Sequence, residues 1–141
     1  MPIQFHPRPG QILMCNFDGF IEPEMVKKRP VLVVSAIKTR ADLVTVVALS
    51  TTPPEPIQNY HMAINRNSMP QTGFFQESDT WVKGDMVYTL CFQRLDLIVL
   101  GKRRSDGKRQ YHTQRLGRDV MRSVYGCILN GLGIGGVATH L

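Results

Sequence analysis

Residues 24–35 read EMVKKRPVLVVS. From Val31 onward the run is β-branched and aliphatic until Ser35, and RPVLVVSAI (29–37) predicts a strand covered by core on both faces. The first half is unlike the second, because Glu24, Lys27, Lys28 and Arg29 gather at the mouth of the strand the chain most needs to bury. Pro30 restricts its own φ and the residue before it, so the Arg29 side chain leaves the strand mouth in a defined direction. Charges placed there either solvate the end of a strand or assemble a site for an anion.

The flanking segments supply that strand with neighbours. GQILMCNF (10–17) predicts a strand, and DGFIEPE (18–24), punctuated by Asp-Gly and Glu-Pro, predicts a loop. TRAD (39–42) turns the chain, and LVTVVALS (43–50) is the natural antiparallel partner of 29–37. TTPPEP then ends that strand, since Pro53, Pro54 and Pro56 cannot donate to a ladder. Further strands are expected at IQNYHMAI (57–64), TWVKGDMVYTL (80–90) and LDLIVLG (95–101), with a loop over NRNSMPQTGFFQESD (65–79). GKRRSDGKRQ (101–110) is a basic turn centred on Asp106-Gly107, a hairpin signal.

Only the end is helical in pattern. In 117–133, Val120, Val124, Ile128 and Leu132 recur every four residues, widened by Met121 and Tyr125, with Arg118, Arg122 and Asn130 elsewhere. Gly131 or Gly133 ends the helix, and the tail GIGGVATHL is expected to fray. The expected architecture is mainly β (α+β), one domain over 1–141: a small, strongly curved, barrel-like antiparallel sheet closed by one C-terminal helix.

Composition narrows the class of function. An apolar content of 43% with 20% charged residues suits a globular core. No apolar run approaches the roughly 18–20 residues that cross a bilayer, and MPIQFHPRPG has no apolar signal-peptide core, so no membrane association and a cytoplasmic location are expected. Cys15, Cys91 and Cys127 form no C-x-x-C pair, and the four histidines show no metal-ligand spacing, so neither a metal nor a cofactor is expected. Net charge is +6, and eleven of the seventeen basic residues are arginine, whose planar fork suits phosphate. The balance leans toward an anionic partner such as nucleic acid.

GQILMCNFD, then E-x-x-x-x-R-P-V-L-V-V-S, VTVVALSTT, GDMVYTLCFQRL and the closing LGRDVMRSVYGCILNGLGI resemble, in that order, the MazF/PemK (Kid) toxins of bacterial toxin–antitoxin pairs. The likeness runs from about residue 9 to about residue 134, leaving flexible tails. It implies an SH3-like barrel of the MazF/PemK/CcdB type and a homodimer. It also implies a metal-independent endoribonuclease acting on single-stranded RNA and neutralised by a cognate antitoxin. Carried over by position, the implied catalytic residues are Arg29, Ser50, Thr51 and Glu24. Tyr88 stands where the family often has a basic residue.

Cleavage without a metal would drive the ribose 2′-hydroxyl onto its own phosphate. Arg29 suits the anionic oxygens, being always protonated, and is a poor base for the same reason. Ser50 and Thr51 end the strand that pairs with 29–37, so they can meet Arg29 across an antiparallel ladder. Turn chemistry of their own is the other reading of these hydroxyls, and a surface pairing with Glu24 the other reading of Arg29. Glu24 is the candidate base or orienting group. Lys27, Lys28, Arg94 and Asp18 are expected to contact RNA, extended by Arg103, Arg104, Lys108 and Arg109, with Trp81, Phe74 and Phe75 as stacking candidates. Two alternatives stay open: a CcdB-like gyrase-binding toxin, to which the Arg29 and Ser50 pairing would be of no use, and a non-catalytic nucleic-acid-binding regulatory barrel.

Overall fold

The 24–35 stretch splits where its composition changes. The strand begins at Lys28, while Glu24 to Lys27 belong to a loop whose last residue, Lys27, adopts a left-handed φ of 68°. The computed structural model describes residues 2–103 and 105–140. Its strands are β1 (Ile12–Asn16), β2 (Lys28–Ser35), β3 (Leu43–Ser50), β4 (His61–Ile64), β5 (Thr80–Cys91), β6 (Leu95–Asp96), β7 (Val99–Lys102) and β8 (Arg109–Tyr111). Six form one antiparallel sheet in the order β4-β5-β3-β2-β1-β6, and β7 with β8 forms a separate hairpin.

The central strands are apolar on both faces because both faces are covered. Ile12, Leu32, Val34, Val47 and Leu49 pack in one cluster with Val82, Leu116, Met121 and Val124. Leu13, Cys15, Val31, Val33, Val44 and Val46 pack in a second with Phe17, Leu90 and Leu95. Helix α2 (Arg118–Gly131) lies over the first cluster through Met121 and Val124. Its stripe of apolar residues at helical spacing is what the sequence pattern predicts.

One long strand is bent to receive that helix. In β5, Val47 of β3 faces Val87 but the next residue, Ala48, faces Lys83, so residues 84–86 bulge out of the ladder. A Cβ on Gly84 would collide with the carbonyls of Cys127 and Tyr60, and one on Gly131 would collide with the Gly84 carbonyl. Two glycines thus let a helix backbone rest directly on a strand backbone.

Some boundaries depart from the sequence expectation. Only His61–Ile64 of the 57–64 segment is strand, and 95–101 is broken between β6 and β7, with Ile98 buried at the break. The 65–79 loop contains a 3-10 turn (Arg66–Ser68) and a four-residue helix, α1 (Gly73–Gln76), because Phe75 has a buried site to fill. After α2, Gly135–His140 forms a 3-10 helix, begun by a Val137 N–H to Ile134 carbonyl bond of 3.0 Å. The basic hairpin turns at Gly107, φ 70°, as the Asp-Gly signal requires.

Candidate active site

Val31 of β2 is paired with Ala48 of β3. Arg29 lies two positions before Val31 and Ser50 two after Ala48, both beyond the last pair of the β2–β3 register; Arg29 is paired with Cys15 of β1 and Ser50 with Trp81 of β5. Strand side chains alternate between faces. Arg29 shares its face with Val31 and Val33, and Ser50 shares its face with Val46 and Val44, all in the cluster that contains Phe17. The two residues thus belong to the same face of the sheet, but neither Ser50 nor Thr51 is among the residues that line the hollow of Arg29.

Arg29 is exposed, and its guanidinium makes no hydrogen bond or ion pair among the described residues. It lines a hollow of about 460 Å³ with Glu22, Pro23, Glu24, Met25 and Val26. Glu24 is exposed and shares this hollow without ion-pairing to Arg29. One of its oxygens, Oε1, accepts the Ile21 N–H at 3.0 Å, and its own N–H donates to the Ile21 carbonyl at 2.9 Å. The other oxygen, Oε2, makes no hydrogen bond among the described residues.

Ser50 Oγ accepts the Thr52 N–H at 3.1 Å and donates to the Thr52 carbonyl at 3.3 Å, a local turn of the kind serine forms before prolines. The Thr51 carbonyl accepts from Ser78 Oγ at 3.3 Å, which ties the end of β3 to the start of β5.

The loop that carries Glu24 is fastened on both sides. Arg94 Nη1 donates to the carbonyls of Asn16 (2.9 Å) and Asp18 (2.8 Å), and its guanidinium lies 5.1 Å over the Phe20 ring. The backbone N–H of Met25 donates to Tyr88 Oη at 3.0 Å, and Tyr88 packs against Phe17 and Phe20. Burial pushes the Tyr88 phenol pKa up, the Met25 bond opposes this, and the negative charges of Glu24 and Asp85 add to it. Tyr88 is thus the residue sequence reasoning passed over. Its signal was present as an aromatic where the resembled family often has a cation, but its role depends on a contact between residues 63 positions apart.

The remaining candidates separate. Lys27 and Lys28 are exposed beside Arg29, Lys28 at 3.5 Å from Asp96 in a solvent-facing pair of the kind that adds little stability. The Asp18 N–H donates to Asn16 Oδ1, and its carbonyl belongs to Arg94. Phe75 is buried in the core and is not available for stacking; Phe74 is half exposed and Trp81 half buried. Arg103, Lys108 and Arg109 are exposed on the hairpin, Arg103 paired with Asp106 at 2.9 Å, and Arg104 lies outside the described residues. Burial raises the Cys15 thiol pKa to about 12, which leaves it inert. No cluster of three or more His, Cys, Asp or Glu that could hold a metal occurs among the described residues, and no helix there is long and apolar enough to cross a membrane.

Residues 8–129 match the pattern of the PemK-like, MazF-like toxins of type II toxin–antitoxin systems. The chain belongs to this family. An uncharacterized protein of Haemophilus influenzae is 30% identical to it over 138 residues, covering 92% of each chain. MazF from Deinococcus radiodurans superposes with a TM-score of 0.64 at 16% identity, over 92% of this chain and 99% of that one. A mycobacterial endoribonuclease, solved with its cognate antitoxin, superposes with a TM-score of 0.59 at 21% identity, over 91% of this chain and 96% of that one. At such identities these two likenesses concern fold, here the MazF-like one of an antiparallel sheet with a C-terminal helix.

Proposed function

We propose that this PemK/MazF-family toxin is a metal-independent endoribonuclease that cuts single-stranded RNA by 2′-hydroxyl attack. The observation that carries the reading is Arg29, an always-charged fork that makes no ion pair among the described residues and lies in an open hollow beside Glu24. In the reaction the 2′-oxygen loses its proton and bonds to phosphorus, the bond to the 5′-oxygen breaks, and that oxygen takes up a proton. Arg29 holds the crowded phosphate oxygens, where charge placed in advance counts most. Glu24 handles a proton through Oε2, the oxygen that does not hold the Ile21 N–H. Ser50 and Thr51 orient the ribose or a phosphate oxygen, and Lys27 and Lys28 grip neighbouring phosphates. Arg94 and Asp18 serve the RNA indirectly, by holding the loop that shapes the hollow.

A toxin with this activity works in the cytoplasm, as a homodimer held in check by a cognate antitoxin. Rescue of growth by a neighbouring gene product and sedimentation of the purified toxin test these two points.

The direct test is incubation with single-stranded RNA in EDTA followed by end-group analysis. Cyclic-phosphate and 5′-hydroxyl ends are expected, with a loss of about 10²–10³-fold in Arg29→Ala. A second reading is favoured by Ser50 Oγ and Glu24 Oε1, both engaged in their own turns. It is RNA binding without cleavage, and RNA recovered intact from a tight complex would select it.

A further inference from the structure

The basic hairpin of β7 and β8 stands apart from the six-stranded sheet and shares no residue with the Arg29 hollow. Its ladder pairs Val99 with Tyr111 and Lys102 with Arg109, and Gly101, φ 125°, lies at the bulge between the two pairs. Residues opposite each other in a ladder point to the same face, and so do Arg109 and Tyr111, two positions apart. One face of the hairpin therefore carries Lys102, Arg109, Val99 and Tyr111, all of them exposed.

Like charges directly across a ladder repel and weaken the pairing, yet Lys102 stands opposite Arg109. Neither side chain makes a hydrogen bond or ion pair among the described residues. The carboxylate nearest in sequence, Asp106, is engaged within the turn, where Oδ2 pairs with Arg103 at 2.9 Å and Oδ1 accepts the Lys108 N–H at 2.9 Å. The aromatic on this face is a separate observation. Solubility and protection of a strand edge account for charge on a hairpin, but not for a Tyr111 ring left 40% exposed beside two unneutralised cations.

We propose that this face is a second contact for single-stranded RNA, with a backbone phosphate between Lys102 and Arg109 and a base stacked on Tyr111. Cations that track a phosphate backbone, set beside a ring on which any base can stack, are the means by which single strands are held. The cation pair and the ring are two residues apart, about 7 Å, which suits a phosphate and an adjoining base. An anion between the two cations also relieves their repulsion, so binding restores what the free hairpin loses. The hairpin follows the sheet edge nearer to Arg29: Arg29 pairs with Cys15 and Cys15 with Leu95, one row across β2, β1 and β6, and β7 begins four residues after Leu95. The inference rests on RNA as the substrate and adds a contact outside the Arg29 hollow.

Binding to the full chain is followed with a labelled single-stranded RNA of about 20 nucleotides, 2′-O-methylated so that it cannot be cut, with its duplex, and with vesicles of phosphatidylglycerol. In Lys102→Gln/Arg109→Gln, affinity for the single strand should fall about tenfold, and the slope of log affinity against log salt should shrink by about 0.7, one phosphate's worth. Tm should hold or rise in that variant, because the opposed charges are gone. Tyr111→Ala should weaken the single strand about fivefold or more and leave the duplex as it was, while Tyr111→Phe keeps the affinity. An unchanged slope and affinity in the double variant, with the same RNA weakened by Arg29→Ala, overturns the hairpin contact and leaves the substrate reading standing. Absence of RNA binding by the unmodified chain overturns both. Equal losses of duplex and single strand in Tyr111→Ala overturn the stacking role. Vesicle binding lost in the double variant while RNA affinity holds overturns the proposal in favour of a lipid surface.

Discussion

Tyr88 Oη accepts a hydrogen bond of 3.0 Å from the backbone N–H of Met25, joining β5 to the loop that carries Glu24. The same ring packs on Phe17 and Phe20, so one side chain connects the second core cluster to the wall of the Arg29 hollow. Tyr88→Phe keeps the packing and removes the acceptor. A loss of about 1 kcal/mol is expected from the unsatisfied Met25 N–H. RNA cleavage should fall several-fold more than Tm alone explains, because Glu24 moves with the loop. Thermal melts read alongside cleavage rates check this, and unchanged cleavage would separate the loop from the chemistry.

Arg94 holds the same loop from the other side, through the Asn16 and Asp18 carbonyls and the Phe20 ring. Arg94→Ala should cost about 1–3 kcal/mol, and Arg94→Lys should recover little, since an ammonium lacks the planar fork. An unchanged Tm together with a shallower salt dependence of RNA binding would instead make Arg94 a phosphate contact.

Gly84 and Gly131 touch backbone to backbone where α2 crosses β5. Neither Cβ can be relieved by turning a side chain, because the atoms it meets are carbonyls and amides. Gly84→Ala or Gly131→Ala is expected to destabilise by about 3 kcal/mol, whereas Gly126→Ala on the same helix should stabilise, since a Cβ there meets nothing within 4 Å and alanine is the better helix former. Denaturant midpoints for the three variants test the difference.

His112, in the segment that joins β8 to α2, is buried, and burial lowers its pKa. In the unfolded chain it titrates near its ordinary value of about 6.5. Below that pH the unfolded state takes up a proton that the folded state refuses, so stability falls as pH drops through about 6.5 and levels off only below the folded pKa. His61, lowered chiefly by burial as well, works in the same direction. Tm should decline between about pH 7.5 and 5.5, and His112→Leu should flatten the decline. An identical slope in the variant would assign the loss to other groups.

The β2 and β3 strands, the C-terminal helix and the Asp106-Gly107 hairpin were legible because each is written locally. β-branched runs, a four-residue apolar recurrence and turn dipeptides act over a few neighbouring positions. The 3-10 helix at 135–140 has no local signal in its glycine-rich composition, and its neighbours in space include α2. Among the site residues, Arg29 near the start of β2 and Ser50 at the end of β3 could be placed from the strand pattern alone. That Ser50 turns its hydroxyl toward Thr52, that Glu24 holds Ile21, and that Arg94 holds two carbonyls could not.

The amino-acid sequence by itself determined which segments are strands and helix, and where cations gather, because periodicity and turn chemistry are properties of adjacent residues. Only the tertiary structure decided what fastens the Glu24 loop and which glycines carry the helix on the sheet. Those contacts join residues tens of positions apart, and their pairing follows from how the two faces of one sheet are filled, which no local pattern encodes.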